Sequence, residues 1–379
     1  MRLYKGTPFA LLVTGALQAQ APRVHDSAGV RIVENPPRLT APIVFQLGKP
    51  TFDAGGLQQH PDDELSTRNG YPRAMRAPNG NVIILDRTRV LFYASSGKRI
   101  KSFGRQGQGP GEFDPATDVC VTHGDTVLVA QERKPLTRLT KDGALIDVIP
   151  LPDASYAESA ICLDDGTFIV QHRISFTPTT VYRFTRMSPA KALNTIVDFQ
   201  YPEFDMLIRS ETPRAARGRT LFIATANEFS IRAYDEAGGL RSIIRTADVL
   251  KPITDAEKMK LQPMAVRMGS GPAEREAQQK RAVAASKTKF WPTVGKMYVD
   301  LDGRLWLEDW RQPEDPTVPD GWTAFDSTGR LLGRLILPAA TKESRRHVVS
   351  FSKDEVIVYR LDDDGAVHYT AYAIQSVRK

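Results

Sequence analysis

Six strongly apolar runs recur along the chain, and a short polar cluster that mostly ends in glycine precedes each of them. The runs are Val82–Leu85, Val127–Val129, Phe168–Val170, Leu221–Ile223, Leu305–Leu307 and Val356–Val358. Glycine tolerates the positive φ angles of tight turns, so each cluster predicts a turn that joins two strands. Successive clusters lie 44, 42, 52, 85 and 50 residues apart.

A second turn follows each of the first five clusters after 17 to 26 residues, with an apolar strand on either side. The repeating unit therefore holds four strands in about 45 residues, which is the period of a β-propeller blade. The interval of 85 residues accommodates one such unit and about 40 further residues.

The last unit supplies only three strands, around residues 347–351, 355–361 and 367–374. Its fourth strand is expected from Pro42–Leu47, because this pairing would remove the last open sheet edges. The predicted fold is therefore all-β: a six-bladed β-propeller closed by an N-terminal strand. A helical insertion at about residues 252–292 is expected between blades four and five.

A glycine-rich tract, Phe103–Phe113, separates the first unit from the second. The spacing of Gly104, Gly107 and Gly109 is that of a loop that could cradle a phosphate. The tract lacks the Lys-Ser/Thr ending of a P-loop and does not open a helix, so it fails the structural context of a nucleotide site. We interpret it as the joint between two blades.

Three segments resemble known propeller families. Gly104–Phe113 and Phe325–Arg330 are similar to six-bladed propellers of the NHL-like type. Asp26–Val33 is similar to the start of an uncharacterised family of exported bacterial propellers. The resemblance implies a fold and an exported location, but no activity, because propellers include binding modules, lyases and lactonases.

The long connections of the predicted blades are all expected at one end of the propeller. They are Gly104–Pro115, His172–Thr180, Tyr201–Pro213, Trp310–Gly321 and the insertion. Long loops on a rigid scaffold commonly carry function. Arg105, Trp310 and Arg311 are the candidate binding residues there, because exposed Trp and Arg are favoured contact residues. Packing of Trp310 beneath its own loop is the competing interpretation.

The insertion carries helix signals. Thr254 and Glu257 match a capping box, and Pro272 stands at an expected first helical position. Glu276 and Lys280 are spaced for an i,i+4 ion pair. Because basic residues predominate in 251–296, an acidic partner or a docked lid is an alternative. The interpretation that we favour is a solvated helical hairpin that covers one end of the propeller.

The first 21 residues are predicted to be a signal peptide, which leaves residues 22–379 as the propeller. Arg2 and Lys5 precede an apolar run, Phe9–Leu17, and Ala19–Ala21 resembles a cleavage site. Cleavage would reduce the formal charge from +7 to +5, a mild excess that indicates no nucleic-acid role. We expect an exported monomer, periplasmic or extracellular, with no membrane span.

Cys120 and Cys162 each stand four residues before the glycine of their turn. Equivalent places in neighbouring blades make a disulfide conceivable in an exported protein. Buried free thiols are the interpretation that we favour, since cysteine often acts as a small apolar core residue.

No motif identifies a catalytic site. The six histidines show no metal-ligand pairing, and no Gly-x-Ser-x-Gly motif occurs. No cofactor is therefore expected. The alternative is a calcium ion in the central channel, because the loops are rich in oxygen ligands. The predicted function is a binding module for a protein, peptide or saccharide. The alternative is a gluconolactonase-like, metal-dependent hydrolase or lyase with its site at the mouth of the central channel.

Overall fold

A computed structural model describes most of the chain. The described residues are 21–57, 64–66, 72–109, 111–114, 116–122, 124, 126–131, 134–151, 157–175, 179–201, 207, 212–225, 229–261, 271–310, 319–338 and 346–377. The predicted signal peptide lies outside these residues, except for Ala21. No helix in the described ranges is long and apolar enough to cross a membrane.

The described part of the chain is mostly β-structure. Its strands are β1 Arg23–Ser27, β2 Val30–Asn35, β3 Ile43–Gly55, β4 Arg73–Arg76, β5 Val82–Asp86, β6 Arg89–Tyr93, β7 Arg99–Phe103, β8 Ala116–Val121, β9 Val127–Gln131, β10 Leu136–Leu139, β11 Leu145–Ile149, β12 Ser159–Cys162, β13 Phe168–Ser175, β14 Val181–Met187, β15 Ala192–Gln200, β16 Arg214–Arg217, β17 Thr220–Thr225, β18 Ser230–Tyr234, β19 Leu240–Thr246, β20 Val294–Val299, β21 Leu305–Asp309, β22 Asp320–Phe325, β23 Leu331–Leu337, β24 Arg346–Phe351, β25 Glu355–Leu361 and β26 Val367–Ser376. Each of the six predicted apolar runs is confirmed as part of a strand, because all six lie within β5, β9, β13, β17, β21 or β25.

The strands form five hydrogen-bonded sheets within the described residues. Three sheets hold four consecutive antiparallel strands each: β4–β7, β8–β11 and β12–β15. A six-stranded sheet joins β16–β19 to the hairpin of β1 and β2. An eight-stranded sheet contains β20–β23, β3 and β24–β26.

The predicted N-terminal strand is present, and it is longer than expected. β3 pairs antiparallel with β26, from Phe45 opposite Ser376 to Gly55 opposite His368. Its first residues also pair in parallel with β23. The sequence patterns did not predict the β1–β2 hairpin, whose second strand pairs in parallel with β19.

The first strand of each unit contacts its counterparts in the neighbouring units. We call these six strands, β4, β8, β12, β16, β20 and β24, the inner strands. β8 contacts β4 and β12, β20 contacts β16 and β24, and β24 also contacts β4.

Buried apolar side chains fill the spaces between neighbouring units, including the two units that share the eight-stranded sheet. Ile83 and Phe92 of the first sheet pack in one cluster with Val119 and Val129 of the second. Comparable clusters lie between the other successive pairs. Because each sheet therefore buries both of its faces, β-strand pairing and apolar burial together hold the units in series.

A disulfide links two inner strands, and the favoured interpretation of free thiols is therefore wrong. Cys120 on β8 is bonded to Cys162 on β12. The equivalent positions of the two residues bring their Cα atoms to 5.6 Å, a distance that suits a disulfide.

The insertion is helical, as the sequence predicts, and contains α1, Asp255–Lys258, and α2, Pro272–Ala285. The capping box of Thr254 and Glu257 is confirmed. The ion pair between Glu276 and Lys280 is also confirmed, with 2.7 Å between Oε1 and Nζ.

One side of the insertion packs against the β-structure, which agrees with the interpretation of a helical segment that covers one end of the fold. Ile253 and Trp291 are buried in a small apolar cluster with Leu207, and Val283 and Trp310 pack against it. Leu207 precedes β16 and Trp310 follows β21, so the cluster connects the insertion to two units.

Candidate functional site

Three inner strands, β8, β20 and β24, depart from regular pairing. On β24 the irregularity lies between Val348 and Ser350. On β8, Ala116 lies opposite Gln131 whereas Asp118 lies opposite Ala130, so Thr117 is an additional residue. On β20, Gly295 and Lys296 fall within a similar irregularity. β-Bulges redirect side chains and are common beside binding and catalytic sites.

The irregularity in β20 is held by a carboxylate. The backbone N–H of Lys296 donates a hydrogen bond to Oε2 of Glu308, at 3.0 Å. A Cβ atom at Gly295 would lie 2.5 Å from the same oxygen. Glycine is therefore the residue that lets the Glu308 carboxylate reach the backbone of β20.

An ion pair links the inner strands β4 and β8. Nε of Arg73 on β4 lies 3.2 Å from Oδ1 of Asp118 on β8, and both side chains are only partly buried. The additional residue Thr117 directly precedes Asp118, so the bulge places this carboxylate against the neighbouring unit.

Tyr298 on β20 lies within the electrostatic reach of these charged groups. Burial raises the pKa of the Tyr298 phenol. The positive charges of Lys296 and Arg73 lower this pKa, whereas the negative charges of Glu308 and Asp118 raise it further. The phenol donates a hydrogen bond to the carbonyl of Val348 on β24, at 3.3 Å. Four charged or polar residues of inner strands and one residue of β21 thus interact, and we call them the inner-strand cluster: Arg73, Asp118, Lys296, Tyr298 and, from β21, Glu308.

A second polar row crosses from the fourth unit into the third. Nε of Arg214 donates to Oγ of Ser159 at 3.3 Å, and that hydroxyl donates to Oε1 of Gln171 at 3.3 Å. The Gln171 amide in turn donates to the Tyr201 hydroxyl at 3.2 Å. Arg214 and Ser159 are the first residues of β16 and β12, so this row lies at the starting ends of two inner strands.

Arg105 lies in the glycine-rich tract that connects β7 to β8, in agreement with the predicted joint. Its side chain is 82% exposed and pairs with Glu112 at 2.7 Å. Glu112 also accepts a hydrogen bond from the Gly109 amide at 2.9 Å, and this bond and the Arg105 interactions hold its pKa below the ordinary value. Gly107 leaves room for this carboxylate, since a Cβ there would be 2.1 Å from it.

Trp310 is half-buried at the end of β21. Its ring lies 5.3 Å from the ring of Trp291 and covers the apolar cluster of the insertion. Arg311 lies outside the described residues. Arg105 and Trp310 follow strands of different sheets, β7 and β21.

The metal-dependent alternative receives no support from the described ranges. Among those residues, no group of three His, Cys, Asp or Glu side chains is arranged to hold a metal ion.

The comparisons with known proteins identify a fold. No family model matches the chain, and no curated protein matches it. A candidate exported protein from Bacteroides fragilis NCTC 9343 is similar, with 12% identity and a TM-score of 0.55 over 92% of this chain and 100% of that chain. The chain has a propeller-like fold.

Two enzymes are similar at a lower level. A gluconolactonase from Xanthomonas campestris has 12% identity and a TM-score of 0.40 over 94% of this chain and 96% of that chain. Virginiamycin B lyase from Staphylococcus aureus has 9% identity and a TM-score of 0.41 over 86% and 99%. Neither level of similarity carries an argument about activity.

The inner-strand cluster of this propeller-like fold was not predicted from the sequence. Arg73, Asp118 and Lys296 are isolated charges in the sequence, and only their strands bring them together. One local signal was present: Gly295 lies within an apolar strand pattern, where glycine commonly marks a bulge.

Proposed function

We propose that this protein is an exported six-bladed β-propeller that binds a saccharide at its inner-strand cluster and does not act on it chemically. The observation that carries this proposal is the composition of the cluster. Arg73 and Lys296 supply donors, Asp118 and Glu308 supply acceptors, and the four formal charges balance. Such a neutral mixture suits a ligand whose hydroxyl groups both donate and accept hydrogen bonds.

The protonation of Tyr298 favours binding over catalysis. Burial raises the pKa of its phenol, so the group keeps its proton at neutral pH. A protonated phenol is a poor general base. Because its O–H donates to the Val348 carbonyl, the Tyr298 oxygen can accept a hydrogen bond from a ligand.

The pattern of contacts supports six blades. Each inner strand contacts the next along the chain, and β24 of the last unit also contacts β4 of the first. β3 adds a fourth strand to β24–β26, which gives this unit the same strand number as the others.

Export is supported by two independent features. Residues 1–21 have the charge and apolar pattern of a signal peptide. The disulfide between Cys120 and Cys162 is the kind of bond that persists in oxidising compartments such as the periplasm or the cell exterior.

Equilibrium binding to a panel of neutral oligosaccharides tests the proposal. Wild-type protein should bind at least one of them, and Arg73→Met or Lys296→Met should weaken binding at least about tenfold, because each removes donors from a polar site. Arg105→Met is the matched control and should bind like wild type. Binding that survives both cluster variants would refute the site, whereas cleavage of the bound saccharide would refute the non-catalytic role.

A further inference from the structure

The basic charge of this protein is concentrated in one segment. Residues 251–296 contain ten Lys or Arg against four Asp or Glu, a net charge of +6 in a chain whose total is +7. The rest of the protein is thus close to neutral. A single basic segment on a nearly neutral body gives the molecule one electrostatically preferred side.

The four acidic side chains of this segment interact within it. Glu257 pairs with Lys251 at 3.8 Å, Asp255 with Lys258 at 3.9 Å and Glu276 with Lys280 at 2.7 Å. Glu274 accepts a hydrogen bond from Gln278 at 3.3 Å. Lys260, Arg281 and Lys289 are exposed and form no ion pair with any described residue.

The two ends of the insertion form a short ribbon, which we call the insertion stem and define as residues 249–253 and 287–291. Pro252 and Phe290 form an antiparallel bridge. The Ile253 amide donates to the Lys289 carbonyl at 3.0 Å, and the Trp291 amide donates to the Lys251 carbonyl at 2.9 Å. Burial of Ile253 and Trp291 in the apolar cluster fixes the stem on the propeller.

Exposed apolar side chains accompany the basic residues of the stem. Val249 is 93% exposed and lies two residues before Lys251, and Phe290 is 37% exposed and directly follows Lys289. Met259, which is 39% exposed, directly precedes Lys260. At 93% exposure the Val249 side chain is almost fully accessible to a binding surface, and it lies two residues before the bonded part of the stem.

We propose that the insertion stem, with α1 and α2, docks on an anionic lipid bilayer. Basic residues near an anionic membrane surface gain attraction to its headgroups, and apolar side chains beside them can enter the boundary of the acyl chains. A bilayer requires protruding apolar groups with a basic surround, which is the arrangement at Val249 and Phe290. Attraction to an acidic peptide would need only the basic residues, whereas docking on a bilayer also uses the exposed Val249 and Phe290.

Vesicle co-sedimentation tests this docking with the exported form, residues 22–379, because the apolar run Phe9–Leu17 would itself enter lipid. This form retains every described residue except Ala21. It should sediment with phosphatidylglycerol-containing vesicles, much less with pure phosphatidylcholine vesicles, and should be released by high salt. Circular dichroism of every variant checks that it is folded.

Two variants separate the electrostatic and apolar contributions. Each Lys or Arg near an anionic membrane surface raises the affinity for that surface about fivefold. The vesicle affinity of K260E/R281E/K289E should therefore be lower by at least about a hundredfold. V249S/F290S should lose about tenfold or more, because the apolar side chains no longer enter the bilayer.

Matched control variants carry the same changes elsewhere. K98E/K101E/K141E makes the same change in net charge on the exposed surfaces of the first two units, and I100S/L145S removes apolar side chains that are 49% and 43% exposed there. Both controls should sediment like the unmodified form. Equal losses in controls and stem variants would overturn the proposal. So would equal binding to both vesicle types, or binding to soluble poly-L-glutamate that matches vesicle binding and does not depend on Val249 and Phe290.

Discussion

His368 on β26 contacts Asp53 on the N-terminal strand β3, with 2.9 Å between Nδ1 and Oδ2. The other ring nitrogen lies 3.0 Å from Oδ2 of Asp362, which follows β25. One imidazole therefore joins the N-terminal strand to the last two strands of the chain. A neutral imidazole carries a single N–H and can donate to only one of the two carboxylates, whereas the protonated ring can donate to both.

Acid should weaken this connection through Asp362. Hydrogen bonds from the Ala366 amide and from His368 hold the pKa of Asp362 below its ordinary value. A carboxyl group whose pKa is lower in the folded state contributes stability above its unfolded pKa, about 3.9, and loses it as the pH falls through the folded value. As the pH falls from 5 to below the folded pKa of Asp362, the Asp362→Asn variant should therefore lose less stability than wild type. Urea unfolding at a series of pH values measures this difference. An equal pH dependence in both proteins would contradict this role.

The Cys120–Cys162 disulfide should contribute substantially to stability. It encloses a loop with a sequence separation of 42, for which restriction of the unfolded chain predicts about 4 kcal/mol. The free energy of unfolding of C120S/C162S should accordingly be lower by about 4 kcal/mol. Its denaturant midpoint should be lower than that of wild type. Wild type treated with reductant is the internal control and should match the double variant, whereas an unchanged midpoint in either would refute the prediction.

The repeat could be read from the sequence because a blade is a local unit. A turn glycine precedes an apolar strand in successive units, for example Gly80, Gly166 and Gly303. Such strand–turn–strand signals depend only on neighbouring residues. The capping box at Thr254 and Glu257 was predictable for the same reason, since both groups act within one helical turn.

Contacts between units were not predictable in this way. The pairing of Val33 with Ile244 and the ion pair of Arg73 with Asp118 join residues whose proximity depends on how the sheets are arranged. The free-thiol interpretation of Cys120 failed for this reason also, because the distance between inner strands is a property of the assembled fold. The candidate site therefore required the structure.

A buried arginine connects the N-terminal segment to the fourth and fifth units. Arg38 lies 2.9 Å from Asp248 and 2.5 Å from Asp309, and its guanidinium stacks over the ring of Phe229 at 4.7 Å. Its side chain is 3% exposed, so removal of the charge would leave two largely buried carboxylates without this partner.

Arg38→Met should therefore cost about 3–5 kcal/mol of folding stability in urea unfolding. Arg138→Met is the control, because Arg138 pairs with a half-exposed Asp147 and such pairs contribute at most about 1 kcal/mol. Equal effects of the two substitutions would show that the buried network does not hold the N-terminal segment.

Gly295→Ala tests whether the irregularity of β20 shapes the inner-strand cluster. The new Cβ would lie 2.5 Å from Oε2 of Glu308, so the carboxylate must leave the Lys296 amide. We expect a loss of about 1–3 kcal/mol in urea unfolding, because a partly buried hydrogen bond is broken. Gly124→Ala is the control, since a Cβ at Gly124 meets nothing within 4 Å and should leave stability nearly unchanged.

If saccharide binding is confirmed, Gly295→Ala should weaken it and Gly124→Ala should not. Unaltered binding in a destabilised Gly295→Ala protein would show that the Glu308 contact supports the fold and does not position the site.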